Sequence, residues 1–225
     1  DTTVVETNIH YPTDATLLGD GIRVLTRTLR RLGERVRQRT RSVGRRLFEI
    51  GQRSRTAGPR AKPKVRAQSK ARMKTLYQEL MAIARAVLRQ ADGVLAKRPT
   101  RPPAEAELPV TLDLLRRVVA QTRARVLRGN TRFPGKVVSF FEPHTEIIRK
   151  GKLAKPTEFG RVVKIQEAEA QFITDYRVCE RGEPERALWA PALDQHIALF
   201  DHAPQLAVAD GGFASRTNER AARDR

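Results

Sequence analysis

At 225 residues and a net charge of +19, the chain is long enough for one core, or one core plus an inserted subdomain, and its basic excess points to a polyanionic partner rather than a basic one. A single cysteine, Cys179, excludes an internal disulfide, and no apolar run approaches the ~18 residues that span a bilayer. The charge is concentrated: residues 20–101 hold 24 Lys and Arg against 5 Asp and Glu, while the rest of the chain holds 20 of each.

Residues 1–9, a β-branched run headed by Asp1, predict a first strand, and Tyr11, Pro12, Thr13 and Asp14 the turn that leaves it. Asp14 and Asp20 read as turn or helix-cap residues. From Leu17 the period changes. Leu18, Ile22, Leu25, Leu29, Leu32 and Val36 step by fours and threes, and Val43, Leu47 and Ile50 resume the stripe, which predicts a long amphipathic helix with a coiled-coil-like seam. Its other faces carry Arg23, Arg27, Arg30, Arg31, Arg35, Arg45 and Arg46 with little acid beyond Glu34 and Glu49. Ordinary solvated helices mix both signs, so this excess favours contact with phosphate.

A basic linker containing Gly58, Lys62, Pro63 and Lys64 breaks the helix, and Met73, Leu76, Leu80, Ile83 and Val87 start the stepping again. Prolines at 99, 102 and 103 make a second break. Leu108, Leu112, Leu115, Val119 and Val126 predict a third helix ending near Gly129 and Asn130. Residues 15–130 therefore read as an all-helical insertion between a first segment, 1–14, and the remainder, 131–225.

Strand patterns return at 137–141, 144–149, 159–165 and 172–178, with a turn near 167–170. The loop at 150–156, with Lys150 and Lys152, is basic and expected beside nucleic acid. Glu183-Pro184-Glu185 opens a helix whose apolar face is Leu188, Trp189, Leu193, Ile197 and Phe200. Residues 206–209 form an uninterrupted apolar run bounded by Pro204 and ending at Asp210-Gly211-Gly212, which predicts a strand buried on both faces with a carboxylate at its end. An Asp before Gly-Gly also suits a plain turn. Ser215 caps a final helix.

Three segments, Asp1-Thr-Thr-Val-Val-Glu-Thr-Asn-Ile-His-Tyr-Pro-Thr-Asp14, Phe141-Glu-Pro-His-Thr-Glu-Ile-Ile-Arg-Lys-Gly-Lys152 and Ala207-Val-Ala-Asp210-Gly-Gly-Phe-Ala-Ser215, occur in collinear order across nearly the whole chain. Together they resemble the catalytic region of bacterial insertion-sequence transposases of the DDE class, closest to the group filed as not yet classified. The resemblance implies an α/β (α+β) fold built on a partial ribonuclease-H-like sheet, with the helical insertion after the first strand. It also implies that the strand bearing Asp210 lies parallel to the first. Asp1 and Asp210 would then be the catalytic, metal-binding carboxylates for two Mg²⁺ or Mn²⁺ ions that drive in-line displacement at phosphorus, and the partner would be double-stranded DNA. The third carboxylate of the class is not found: Glu219 lies too close behind Asp210. The chain reads as part of a longer frame, expected to bind DNA without cutting it alone.

Two alternatives stay open. One is a decayed element that acts only as a nucleic-acid-binding scaffold. The other is a helical module whose apolar seam forms a homo-oligomer. His10, His144, His196 and His202 lack zinc-site spacing, while His144, Glu142 and Glu146 are polar residues that could flank the site. The expected setting is cytoplasmic and nucleoid-associated, with no membrane partner.

Overall fold

The computed structural model describes residues 1–36, 40–97, 107–149 and 156–224. Packing divides the chain into two units, Ile9–Pro143, and Asp1–Asn8 together with His144–Arg225, whereas the sequence reading puts these transitions at 14/15 and 130/131. Both helix and sheet are present, as the change of hydrophobic period predicts. Among the described residues no helix is long and apolar enough to cross a membrane.

The first unit, Ile9–Pro143, is helical: α1 (Asp14–Arg31), α2 (Thr40–Thr56), α3 (Pro63–Lys97) and α4 (Glu107–Arg128). Thr13 starts α1 through a capping box, its hydroxyl accepting from the Thr16 N–H at 3.1 Å while the Thr16 hydroxyl accepts from the Thr13 N–H at 3.0 Å. Asp14, read as a turn or cap, is instead in the first helical turn, buried and paired with Arg125 at 2.7 Å. Asp20, also read as a cap, lies within α1, where its carboxylate meets Arg23 at 2.6 Å and His10 at 3.4 Å. Both α1 and α4 end on a left-handed glycine: Gly33 (φ 80°) lets Glu34 N–H return to Leu29 O at 3.0 Å, and Gly129 (φ 68°) does the same for Asn130 N–H and Ala124 O, also at 3.0 Å.

The seam residues Leu18, Ile22, Leu25 and Leu29 share one core with Leu76, Leu80 and Val87 of α3 and Leu108, Leu112 and Leu115 of α4. Each such side chain contributes roughly 1.5–3 kcal/mol by leaving water. The stretch 137–141, expected as a strand, follows α4 without forming one. Val137, Val138 and Ser139 are buried there as irregular chain, because the Gln121 carboxamide satisfies the Val137 backbone in place of a neighbouring strand: its Nε2 donates to Val137 O at 3.0 Å and its Oε1 accepts from Val137 N at 3.0 Å.

The other unit is built on an antiparallel sheet of β1 (Thr2–Glu6), β2 (Glu146–Ile148), β3 (Glu158–Ala168) and β4 (Phe172–Val178). The long β3 lies between β1 on one side and β2 and β4 on the other, with Thr2 opposite Lys164, Glu146 opposite Gly160 and Val163 opposite Val178. Gly160 admits the β1 backbone so closely that a methyl there would collide with the Val5 carbonyl oxygen and lie 2.9 Å from Glu6 Cα. Where the chain leaves and re-enters this sheet, the Thr145 hydroxyl donates to the Thr7 hydroxyl at 2.9 Å. The turn from β3 to β4 is the short 3₁₀ segment Glu169–Gln171, in which Ala170 and Gln171 are both left-handed, φ 57° and 63°.

A 3₁₀ turn, Glu185–Leu188, runs into α5 (Trp189–Phe200), and Ser215 caps α6 (Arg216–Arg223) by accepting from Asn218 N–H at 3.1 Å. Leu188, Cys179 and Phe213 make a small second core with Val162, Trp189 and Ala209 around them. The Trp189 and Phe213 rings meet edge-on at 6.4 Å between centroids. Residues 206–210 are not the expected buried strand. Leu206 and Val208 are 81% and 82% exposed, and every strand pair among the described residues is antiparallel. Turn chemistry takes precedence at the end of this run: Asp210 Oδ1 accepts from Gly212 N–H at 2.9 Å and opens the 3₁₀ segment Gly211–Phe213.

Candidate carboxylate site and nucleic-acid interface

Asp1 precedes β1, with its ammonium donating to Ile165 O at 2.9 Å and its Oδ1 accepting from Thr2 N–H at 2.6 Å. The Thr2 side chain projects from the face of β1 that meets the Glu185–Leu188 turn, and its hydroxyl donates to Glu185 Oε1. Glu185 and Asp210 share a gap above Gly212: a methyl on Gly212 would overlap Glu185 Oε2 and stand 3.1 Å from Asp210 Oδ1. Thr2 thus meets Glu185, and Glu185 and Asp210 each lie beside Gly212, which brings residues from the two ends of the chain into one neighbourhood without a parallel strand pair. Only a residue without a side chain leaves room for two carboxylates there. Glu185 was not singled out from the sequence as a site residue. Its signal was a Pro followed by Glu at a helix start, which is the commonest reason for a Glu in that position.

These are hard oxygen donors, the type that suits Mg²⁺ or Mn²⁺. Among the described residues, however, no group of three or more His, Cys, Asp or Glu side chains is arranged to hold a metal ion. Glu146, expected near the site, pairs with Arg161 at 3.2 Å.

The cations named from the sequence fall into two kinds. Arg27, Arg30, Arg31, Arg35, Arg45, Lys62 and Lys64 are exposed, and their side chains make no hydrogen bond or ion pair among the described residues. Arg23 and Arg46 are committed to the fold. Arg23 reaches Asp20 at 2.6 Å with its guanidinium 5.9 Å from the Phe141 ring centroid, and Arg46 reaches Glu79 at 2.6 Å and the Ser42 carbonyl at 3.0 Å. Lys150 and Lys152 lie outside the described residues.

The Arg46–Glu79 pair belongs to a network between α2 and α3. Arg72 grips Glu49 with two hydrogen bonds, at 2.7 and 3.0 Å, and Arg53 approaches Glu49 at 3.9 Å. The hydrogen bond from Arg72 holds the Glu49 carboxyl below its ordinary range, with the positive charges of Arg72, Arg53 and Arg46 adding to it, and Glu49 in turn raises Arg72. Tyr77 is pushed up by burial first and by the nearby Asp14 charge second. Comparison with known proteins returns no match: no family model fits the chain, and no curated protein or solved structure is similar to it.

Proposed function

We propose that the chain is the catalytic region of a DDE-class DNA transposase, using Asp1 and Asp210 for phosphodiester chemistry and the helical unit to hold duplex DNA. The observation that carries this reading is the shared gap at Gly212. Glu185 Oε2 and Asp210 Oδ1 both lie beside Gly212, and the Thr2 hydroxyl, next to Asp1 in the chain, donates to Glu185. The three collinear motifs and the concentration of positive charge in residues 20–101 support it as well.

On this reading the finer architecture is ribonuclease-H-like, with β1 as its first strand. Asp1 and Asp210 are the residues that would hold Mg²⁺ or Mn²⁺, and the ions would supply activation of the attacking oxygen and stabilisation of the leaving one. The chain's own part is to keep the Glu185 and Asp210 oxygens beside Gly212. Gly212 keeps that place free of side-chain bulk, and Thr2 holds one oxygen of Glu185 while the other lies against Gly212.

A second reading, a nucleic-acid-binding scaffold without chemistry, is favoured by one observation: the Asp1 and Asp210 carboxylates are each already engaged by a backbone N–H, of Thr2 and Gly212. Divalent metal separates the two. If Asp210 is a ligand, Mn²⁺ raises the melting temperature, by an amount equivalent to about 2.7 kcal/mol at a hundredfold excess over Kd, and Asp210→Ala removes the shift. An unchanged melting curve with Mn²⁺ overturns the catalytic reading.

A further inference from the structure

We infer that the outward ridge of α3, marked by Lys64, Lys74, Arg85 and Arg89, is the surface on which a double-helical nucleic acid lies. The inference rests on the nucleic-acid reading above and is independent of its chemistry. The core side of α3 is fixed by Leu76, Leu80, Ala84, Val87 and Ala91, which step by fours and threes and are all buried. The same periodicity puts residues 64, 67, 71, 74, 78, 82, 85 and 89 along the opposite side, and every one of them is exposed.

That row reads Lys, Ala, Ala, Lys, Gln, Ala, Arg, Arg, and it contains no carboxylate. Between Lys64 and Arg89 the sole acid on the helix is Glu79, which turns toward α2 and is held by Arg46 at 2.6 Å. The other arginines of this part of α3 are occupied: Arg72 on Glu49, and Arg66 on the carbonyls of Gly58, Pro59 and Ala61. The four ridge cations have no hydrogen bond or ion pair among the described residues. A row of cations left without acid beside a network that neutralises its own charge is placed for an external anion.

The shape selects which anion. At 1.5 Å per residue the ridge runs about 37 Å, a little over one turn of duplex, and Lys74 stands about 16 Å from Arg85, wider than the ~12 Å major groove. A helix laid across the groove therefore sets one cation group on each wall. The intervening alanines keep the ridge low, so the phosphodiester backbone can approach. No aromatic residue lies on it for bases to stack on, which disfavours single strands, and no large apolar residue is available to enter a lipid surface.

The test is fluorescence anisotropy of the whole chain against a labelled mixed-sequence duplex through a salt titration. The combined variant Lys74→Ala, Arg85→Ala, Arg89→Ala keeps good helix formers on an exposed face, and a melting curve checks that it folds. It is expected to bind at least ~10-fold more weakly at moderate salt, and its slope of log affinity against log salt is expected to fall by about 2–3. Duplex binding equal to that of the unaltered chain overturns the ridge, as does a loss confined to Arg27→Ala, Arg30→Ala, Arg31→Ala. Loss of binding to anionic vesicles with duplex binding intact overturns it in favour of a membrane partner. An absent Mn²⁺ shift together with the expected ridge effect removes the catalytic reading and leaves the ridge standing. Failure of the unaltered chain to bind duplex removes the ridge along with the nucleic-acid reading.

Discussion

The Gln121 carboxamide and the Val137 backbone close a two-bond ring, 3.0 Å in each direction, inside the helical unit. Both residues are buried, so the ring gives the N–H and C=O of Val137 the partners that water cannot. Gln121→Leu keeps the volume and strands both groups. We expect a loss of roughly 2–4 kcal/mol, read from the urea midpoint, with the slope of the transition unchanged.

The hairpin between β3 and β4 carries Ala170 and Gln171 at φ 57° and 63°. Two consecutive left-handed residues are what a tight hairpin turn needs to match strand twist, and Asn-Gly supplies them with less strain than Ala-Gln. Replacing the pair by Asn-Gly is expected to stabilise the chain by about 1 kcal/mol, seen as a higher melting temperature. A lower melting temperature would mean that the Ala170 and Gln171 side chains matter to packing more than their backbone geometry does.

Acid should loosen the contact between α2 and α3 before it reaches the apolar core. Glu49 is held below its ordinary carboxyl range, chiefly by the Arg72 hydrogen bond. A carboxylate depressed in the folded state contributes stability at pH values above the unfolded carboxyl range, and the contribution is lost as pH falls through the folded value. Glu183, depressed first by the Glu180 N–H and then by Arg177, acts in the same direction in the other unit. Both groups are half-buried but still reached by solvent, so salt partly screens them. Melting temperature should therefore decline as pH drops through and below the carboxylate range, and Glu49→Gln should flatten part of that decline.

The helical unit was the more legible half of this sequence because its signal is redundant. Leu18, Ile22, Leu25 and Leu29 repeat one instruction at every turn, and Gly129 marks where α4 stops. Residues 159–165 and 172–178 were legible as strands for a similar reason, since β-branched residues with a turn between them leave few alternatives. Short apolar runs were not. The runs at 137–141 and 206–210 look alike in sequence, yet one is buried as irregular chain through Gln121 and the other is exposed with Asp210 turned onto Gly212. In both cases the hydrogen bonding of one side chain decided the outcome, and such bonding has no periodicity to detect.

The charged residues show the same limit. Composition located the block of positive charge but could not divide it, because Arg45 and its neighbour Arg46 are equivalent in sequence. Only the position of Glu79 makes Arg46 a pin while Arg45 remains exposed. Glu185 was hidden in the opposite way, by an adequate local explanation as the acid at a helix start.

Glu6 and Glu146 lie on either side of Gly160, two inter-strand steps or about 10 Å apart, and the hydroxyls of Thr7 and Thr145 touch just beyond them. The exit and the return of the chain are thus stapled at nearly one place, and a connector of a few residues would reach across. The long excursion between them behaves as a cassette. We expect that changes in its length leave the pairing of β1 with β3 and of β2 with β3 in register.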